Sequence, residues 1–172
     1  MELPHALIDA ERWIASCPLQ DTHRIRLLCL SIQKAEQELM REAHSYLQTC
    51  MHHCEGLCCR NVFLDEVMGF EDFCYILLLH PELSETLHTH LNGLKGLFTS
   101  DCPFLLNGKG PCILPEAVRP EICITSFCMQ TPKADTAIAN VKSQFRKLAW
   151  TVRGIRIKRL FQILLGRPAH LR

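Results

Sequence analysis

Apolar positions recur at helical spacing along most of the chain. Ala6, Leu7, Ala10, Trp13 and Ile14 mark a first helix over 5–16, stopped by Pro18. A second, longer helix is predicted from a cap at Asp21 or Thr22 to about Thr49. Its stripe is Ile25, Leu28, Ile32, Leu39, Ala43 and Tyr46/Leu47, with Arg, Lys and Glu opposite. The run EDFCYILLLH (71–80) reads as a compact apolar helix ended by Pro81. ELSETLHTHLNGLKGLF reads as another, frayed by Gly93 and Gly96. From Thr136, the positions Ile138, Val141, Phe145, Leu148, Val152 and Ile155 step by three and four, the seam spacing of a helix pair. A bend is expected at Gly154, and IKRLFQILL (157–165) carries a shifted stripe.

Between these helices the period is lost. Residues 50–61 contain Gly56 and predict irregular turns. CPFLLNGKGPCIL (102–114) places two short apolar runs around Asn107-Gly108, a strong hairpin turn signal. Residues 115–133 hold Pro115, Pro120 and Pro132 and predict a loop with at most one helical turn. The expected architecture is mainly α: a helical single domain with a small β-hairpin and an irregular cysteine-rich region. Residues 1–135 form the helical body and 136–172 a basic amphipathic C-terminal helix.

Composition adds two facts to this picture. Hydrophobic residues make up 48% and charged residues 22% of 172, a globular balance that argues against global disorder. Net charge is +1, but it is unevenly placed. Residues 136–172 carry nine Lys/Arg and no Asp/Glu, while the first 135 carry all eighteen acids. The basic helix is read either as packing its apolar stripe on the acidic body or as docking on a protein partner or an anionic membrane surface. Neither an aromatic-rich single-strand motif nor helix-turn-helix spacing is present, so nucleic acid is not the expected partner.

The first twenty residues hold acids and no basic segment ahead of an apolar run, so a signal peptide is not expected. Nor is there a long uncharged apolar run to span a bilayer. A cytoplasmic location follows as the expectation, where thiols stay reduced and cysteine clusters more often serve metal or redox chemistry.

Eleven cysteines are present. Cys17, Cys29 and Cys74 sit within or beside helical apolar patterns and read as small buried hydrophobes. The other eight fall into two sets: Cys50-x3-Cys54-x3-Cys58-Cys59, and Cys102-x9-Cys112-x10-Cys123-x4-Cys128. Thiolates are strong ligands for zinc and for the iron of Fe–S clusters. A loop with a cysteine every three or four residues can turn several sulfurs toward one centre. Eight are too many for one four-coordinate ion, so two centres, or cysteines supporting the ligands, are expected. The spacing is neither that of a zinc ribbon nor of a bacterial ferredoxin. His52 and His53 are further possible ligands, whereas His80, His88 and His90 read as surface residues of helices.

CMHHCEGLCCR, CPFLLNGKGPC and RPEIC, in this order, resemble the YkgJ-like cysteine-cluster family of zinc- or iron-chelating domains. That family typically has C-x2-C-x2-C-C, then a Cys-Pro-Phe-Leu-like segment, a Cys in a short strand, and Arg-Pro-x-x-Cys. Cys102 to Leu105, Cys112 with Ile113, and Arg119, Pro120 and Cys123 match the later elements. The similarity covers about residues 50–128. The early spacers are wider by one residue, and Ile124 stands where an Arg often follows the last Cys. The resemblance implies an iron–sulfur cluster, first, or zinc. It implies Cys50, Cys54, Cys58, Cys59, Cys102, Cys112 and Cys123 as ligands, with Cys128 as an eighth. Arg119 is then read either as facing the negative charge of a thiolate-bound centre or as a surface Arg before a turn proline. The leading functional expectation is a redox, chelating or interaction module. The alternatives are an Fe–S-dependent enzyme, such as one transferring methyl groups to protein lysines, and a disulfide-bonded structural protein. The chain has no P-loop, G-x-G-x-x-G, G-x-S-x-G or H-E-x-x-H.

Overall fold

A computed structural model of the chain describes residues 3–44, 68–92, 102–108, 111–126 and 132–165. Its helices are α1 (Leu3–Ser16), α2 (Leu19–Glu42), α3 (Phe70–Leu79), α4 (Ser84–Asn92), the short α5 (Glu121–Thr125) and the long α6 (Pro132–Leu164). The chain is mainly helical, as the periodicity predicts, and no described helix is long and apolar enough to cross a membrane.

α3 lies at the centre. It is apolar nearly all round, which is the pattern of a helix enclosed on every side. Phe73, Cys74, Tyr75 and Ile76 are fully buried. α1, α2 and α6 surround it, and among the described elements α2 and α6 make the most extensive pairing. On α6 the seam Val141, Phe145, Leu148, Val152 and Ile155 enters the same core as α1 to α4. α4 packs on α1, with both Ser84 Oγ and His88 Nε2 bonded to Glu11; the His88 Nε2 distance to Glu11 Oε2 is 2.9 Å.

Several boundaries differ from expectation for local reasons. α2 begins at Leu19, behind Pro18, rather than at a cap on Asp21 or Thr22. Thr22 instead turns its hydroxyl back onto the Pro18 carbonyl at 3.1 Å, and Asp21 lies in the first turn, where the helix dipole favours an acid. α2 ends at Glu42, with Ala43 as its C-cap, rather than running on to about Thr49, and residues 45–49 lie outside the described residues. α3 is capped at Gly69, whose N–H donates to Asp72 Oδ2 at 2.9 Å. α6 starts at Pro132, four residues before Thr136. Proline is well suited to a first helical position because its missing N–H would have no partner there. The helix runs through Gly154 unbroken.

The three histidines read as surface residues are half-buried and bonded. His80 Nδ1 lies 2.6 Å from Glu82, His88 bonds Glu11, and His90 Nδ1 lies 3.1 Å from the Pro103 carbonyl oxygen. Three arginines of α6 reach neighbouring elements from the surface. Arg153 Nε pairs with Glu71 at 3.0 Å, Arg156 lies 4.2 Å over the Phe70 ring, and Arg159 donates to the Ser16 carbonyl at 2.9 Å.

Candidate functional site

The expected hairpin is reduced to a single antiparallel bridge, Leu105 opposite Cys112, with no sheet among the described residues. Leu106 N–H donates to the Pro111 carbonyl at 3.0 Å and Ile113 N–H to the Phe104 carbonyl at 2.8 Å. The ladder stops there for a covalent reason. Pro111 has no N–H to return a bond to Leu106, and at the other end the next bonded position on the returning arm is Pro115, which has none either. Asn107 makes the turn with φ 54°, ψ 25°, the left-handed conformation that asparagine tolerates better than most residues. Phe104, Leu105 and Leu114 are buried and pin both arms to the core. Cys102 is buried at the entry to this turn, and Cys112 is half-buried on the returning arm.

The chain then passes through a 3-10 turn at Glu116–Val118, the extended Arg119, and α5, on which Cys123 is exposed. Residues 115–133 thus contain more helix than the single turn expected. Two buried acids hold this segment. Glu36 of α2, 1% exposed, lies 2.7 Å from the Tyr75 hydroxyl of α3. That hydroxyl also reaches the Ala117 carbonyl at 3.1 Å, and Gln33 Nε2 donates to the same carbonyl at 3.2 Å. Asp72 receives the backbone N–H of Glu121 at the start of α5.

The protonation of this cluster follows from counting donors. Tyr75 has one proton and two oxygens within reach. If Glu36 is a neutral acid, its O–H donates to Tyr75, and Tyr75 donates to Ala117. If Glu36 is ionised, Tyr75 donates to Oε2 and Gln33 still serves the Ala117 carbonyl, but Oε1, which has no hydrogen-bond partner among the described residues, becomes a bare buried charge. Burial accordingly pushes the Glu36 carboxyl up to about 8, although Tyr75 and the nearby Arg119 guanidinium both pull it down. Burial and the Glu36 charge raise the Tyr75 phenol, so it stays a neutral donor. Asp72 is pushed up to about 6, mainly by burial, with the Gly69 N–H opposing and Glu121 adding to the rise.

Arg119 is half-buried, not a surface residue before a turn. It faces Glu36, and its Nε is buried with no hydrogen-bond partner among the described residues. Sequence reasoning missed Glu36 as a functional position. The available signal was its place in the series Ile25, Cys29, Ile32, Glu36, Leu39, Ala43, where an acid stands on the apolar stripe of α2.

No family model, curated protein or solved structure matches the chain.

Of the expected ligands, Cys50, Cys54, Cys58, Cys59 and Cys128, like His52 and His53, lie outside the described residues. Cys102, Cys112 and Cys123 are described, and among the described residues no three His, Cys, Asp or Glu side chains gather in a metal-holding group. The described segments therefore do not form a complete coordination shell by themselves. Cys29 and Cys74, by contrast, are fully buried in the core, as expected, and Cys17 packs at its edge. Burial drives the Cys29 thiol up to about 12 and raises Cys74 further, with Cys29 adding to that rise.

Proposed function

We propose that the protein is a cysteine-ligated metal-binding module, holding an iron–sulfur cluster or zinc for redox, chelation or interaction. The observation that carries the reading is the partition of the eleven cysteines. Three belong to helical stripes and serve the core. Eight fall in two stretches, 50–59 and 102–128, outside the apolar stripes of the long helices. The free-thiol state of Cys112 and its half-exposed position, together with the exposure of Cys123, leave sulfur available for coordination. A complete shell then requires sulfurs from 50–59 to join Cys102, Cys112 and Cys123, with Cys128 as the weaker eighth. The ordered similarity to the YkgJ-like family supports the same ligand set. The group would supply electron transfer as a cluster, or a structural clamp as zinc. The protein's own part is the anchoring of 116–123 by Tyr75, Gln33 and Asp72, which fixes Cys123 and Arg119 relative to the core. Arg119 is the residue suited to face a negatively charged thiolate centre.

Anaerobic purification with a visible spectrum and metal analysis on one sample tests this. Broad visible absorption with several irons per chain identifies a cluster, and a colourless protein with zinc identifies a structural site. Cys54→Ser, Cys58→Ser and Cys123→Ser are expected to lose the metal, whereas Cys29→Ser retains it. Absence of metal from the anaerobic protein, or full retention in the three ligand variants, refutes the proposal.

A further inference from the structure

α6 carries two apolar stripes on opposite sides. The inner one, Val141 to Ile155, is buried against α2 and α3. The outer one is Trp150, Ile157, Leu160, Phe161, Leu164 and Leu165, all exposed, with Trp150 at 74% and Leu164 at 79%. At about 100° per residue, these six side chains occupy an arc of roughly 140° centred opposite the inner seam. From Trp150 to Leu165 the arc extends about 22 Å along the axis. Lys147 and Lys158 border it on one side, Arg146 continues the arc one turn toward the N-terminus, and Arg153, paired with Glu71, projects within it; all four are exposed, and no acid occurs in α6 beyond Asp135.

We propose that this outer face of α6 is a docking surface for an anionic lipid bilayer, lying flat in the headgroup region with the helical body behind it. The arc is wider than the two-position seam that a single partner helix fills, and it has an aromatic residue at each of two turns, Trp150 and Phe161, as interfacial helices do. The charge beside and within the arc is of one sign. A second copy of the chain would set lysines and arginines against their own kind, which costs free energy, whereas a negatively charged leaflet complements Lys147, Lys158 and Arg146 at once. Arg153, Arg156 and Arg159 tether the same helix to Glu71, Phe70 and Ser16, so the outer stripe is presented on a fixed support.

The test uses the full chain with vesicles of phosphatidylcholine, alone or with about 30% phosphatidylserine. The chain has two tryptophans, Trp13 in the core and Trp150 outside, so a blue shift on mixing reports Trp150, and Trp150→Phe abolishes it. Cosedimentation with the phosphatidylserine vesicles is expected, weakening as salt is raised. Phe161→Glu, which alters no buried contact, is expected to weaken it about tenfold or more, and the pair Lys147→Glu/Lys158→Glu similarly, with helicity by circular dichroism unchanged. Three results overturn the proposal: no partition into phosphatidylserine vesicles; equal partition into neutral vesicles; or a dimer in sedimentation velocity that Phe161→Glu converts to monomer, which would assign the face to a second copy.

Discussion

Tyr75→Ala is expected to destabilise the protein by about 3–5 kcal/mol, among the largest effects of any single replacement. The ring is fully buried, packs edge-to-face on Phe145 with centroids 5.2 Å apart, and bridges α2 to the segment carrying Arg119 and Cys123. Tyr75→Phe separates the two contributions. It keeps the ring and removes the hydroxyl, leaving Glu36 without its hydrogen-bond partner, and is expected to cost about 1–3 kcal/mol. Urea unfolding of both variants measures this. A Tyr75→Phe protein as stable as the parent would show that the hydroxyl bridge contributes nothing. The same variant tests the link to coordination. If the bridge positions Cys123, metal affinity falls in Tyr75→Phe even under conditions where the protein remains folded.

The second large effect is a loss of stability as pH rises. Glu36 titrates near 8 in the folded chain against an ordinary value of 4.5. Between these values the folded state holds a proton that the unfolded state has released. Stability therefore falls by about 1.4 kcal/mol per pH unit from roughly 4.5 upward, levelling off above about 8. Asp72 adds a loss of the same sign between 3.8 and about 6. Glu36→Gln replaces the neutral acid by a neutral amide of similar shape. It is expected to change little at pH 5 and to stabilise at pH 8, flattening the profile above 6, where Asp72 no longer contributes. Unfolding free energies at pH 5, 6.5 and 8 for parent and variant check this. A parent profile that rises over this range would mean that Glu36 is ionised and paired in the folded chain.

The helices were legible because each buries one face. The stripes of α1, α2 and α6 appear in the sequence at helical period, and α3 appears as an uninterrupted apolar run. Less legible were features that depend on what a residue meets across the fold. The Asn107-Gly108 signal correctly located a turn, but Pro111 and Pro115, visible in the same sequence, withdraw the N–H groups a ladder needs. Glu36 stands on the apolar stripe of α2, but nothing in the sequence joins it to its partner Tyr75, thirty-nine residues away. His88 and His90 looked solvated because Glu11 and the Pro103 carbonyl are contributed by other elements. For the candidate metal centre, residue type and spacing were the whole signal, and the structure adds the anchoring of 116–123. The outer stripe of α6 was visible only as a shift in register after Ile155. Its exposure became apparent once α2 and α3 were seen to occupy the opposite side.

The core cysteines have a consequence for how the chain can be observed. Cys29 and Cys74 are fully enclosed, and their thiols are held far above neutral pH. An alkylating reagent reaches them only when α2 and α3 separate, which is an opening of the whole core rather than of a loop. In a denaturant-free solution their slow modification would therefore act as a clock for global unfolding, running beside the faster modification of Cys112 and independent of any metal bound by the other cysteines.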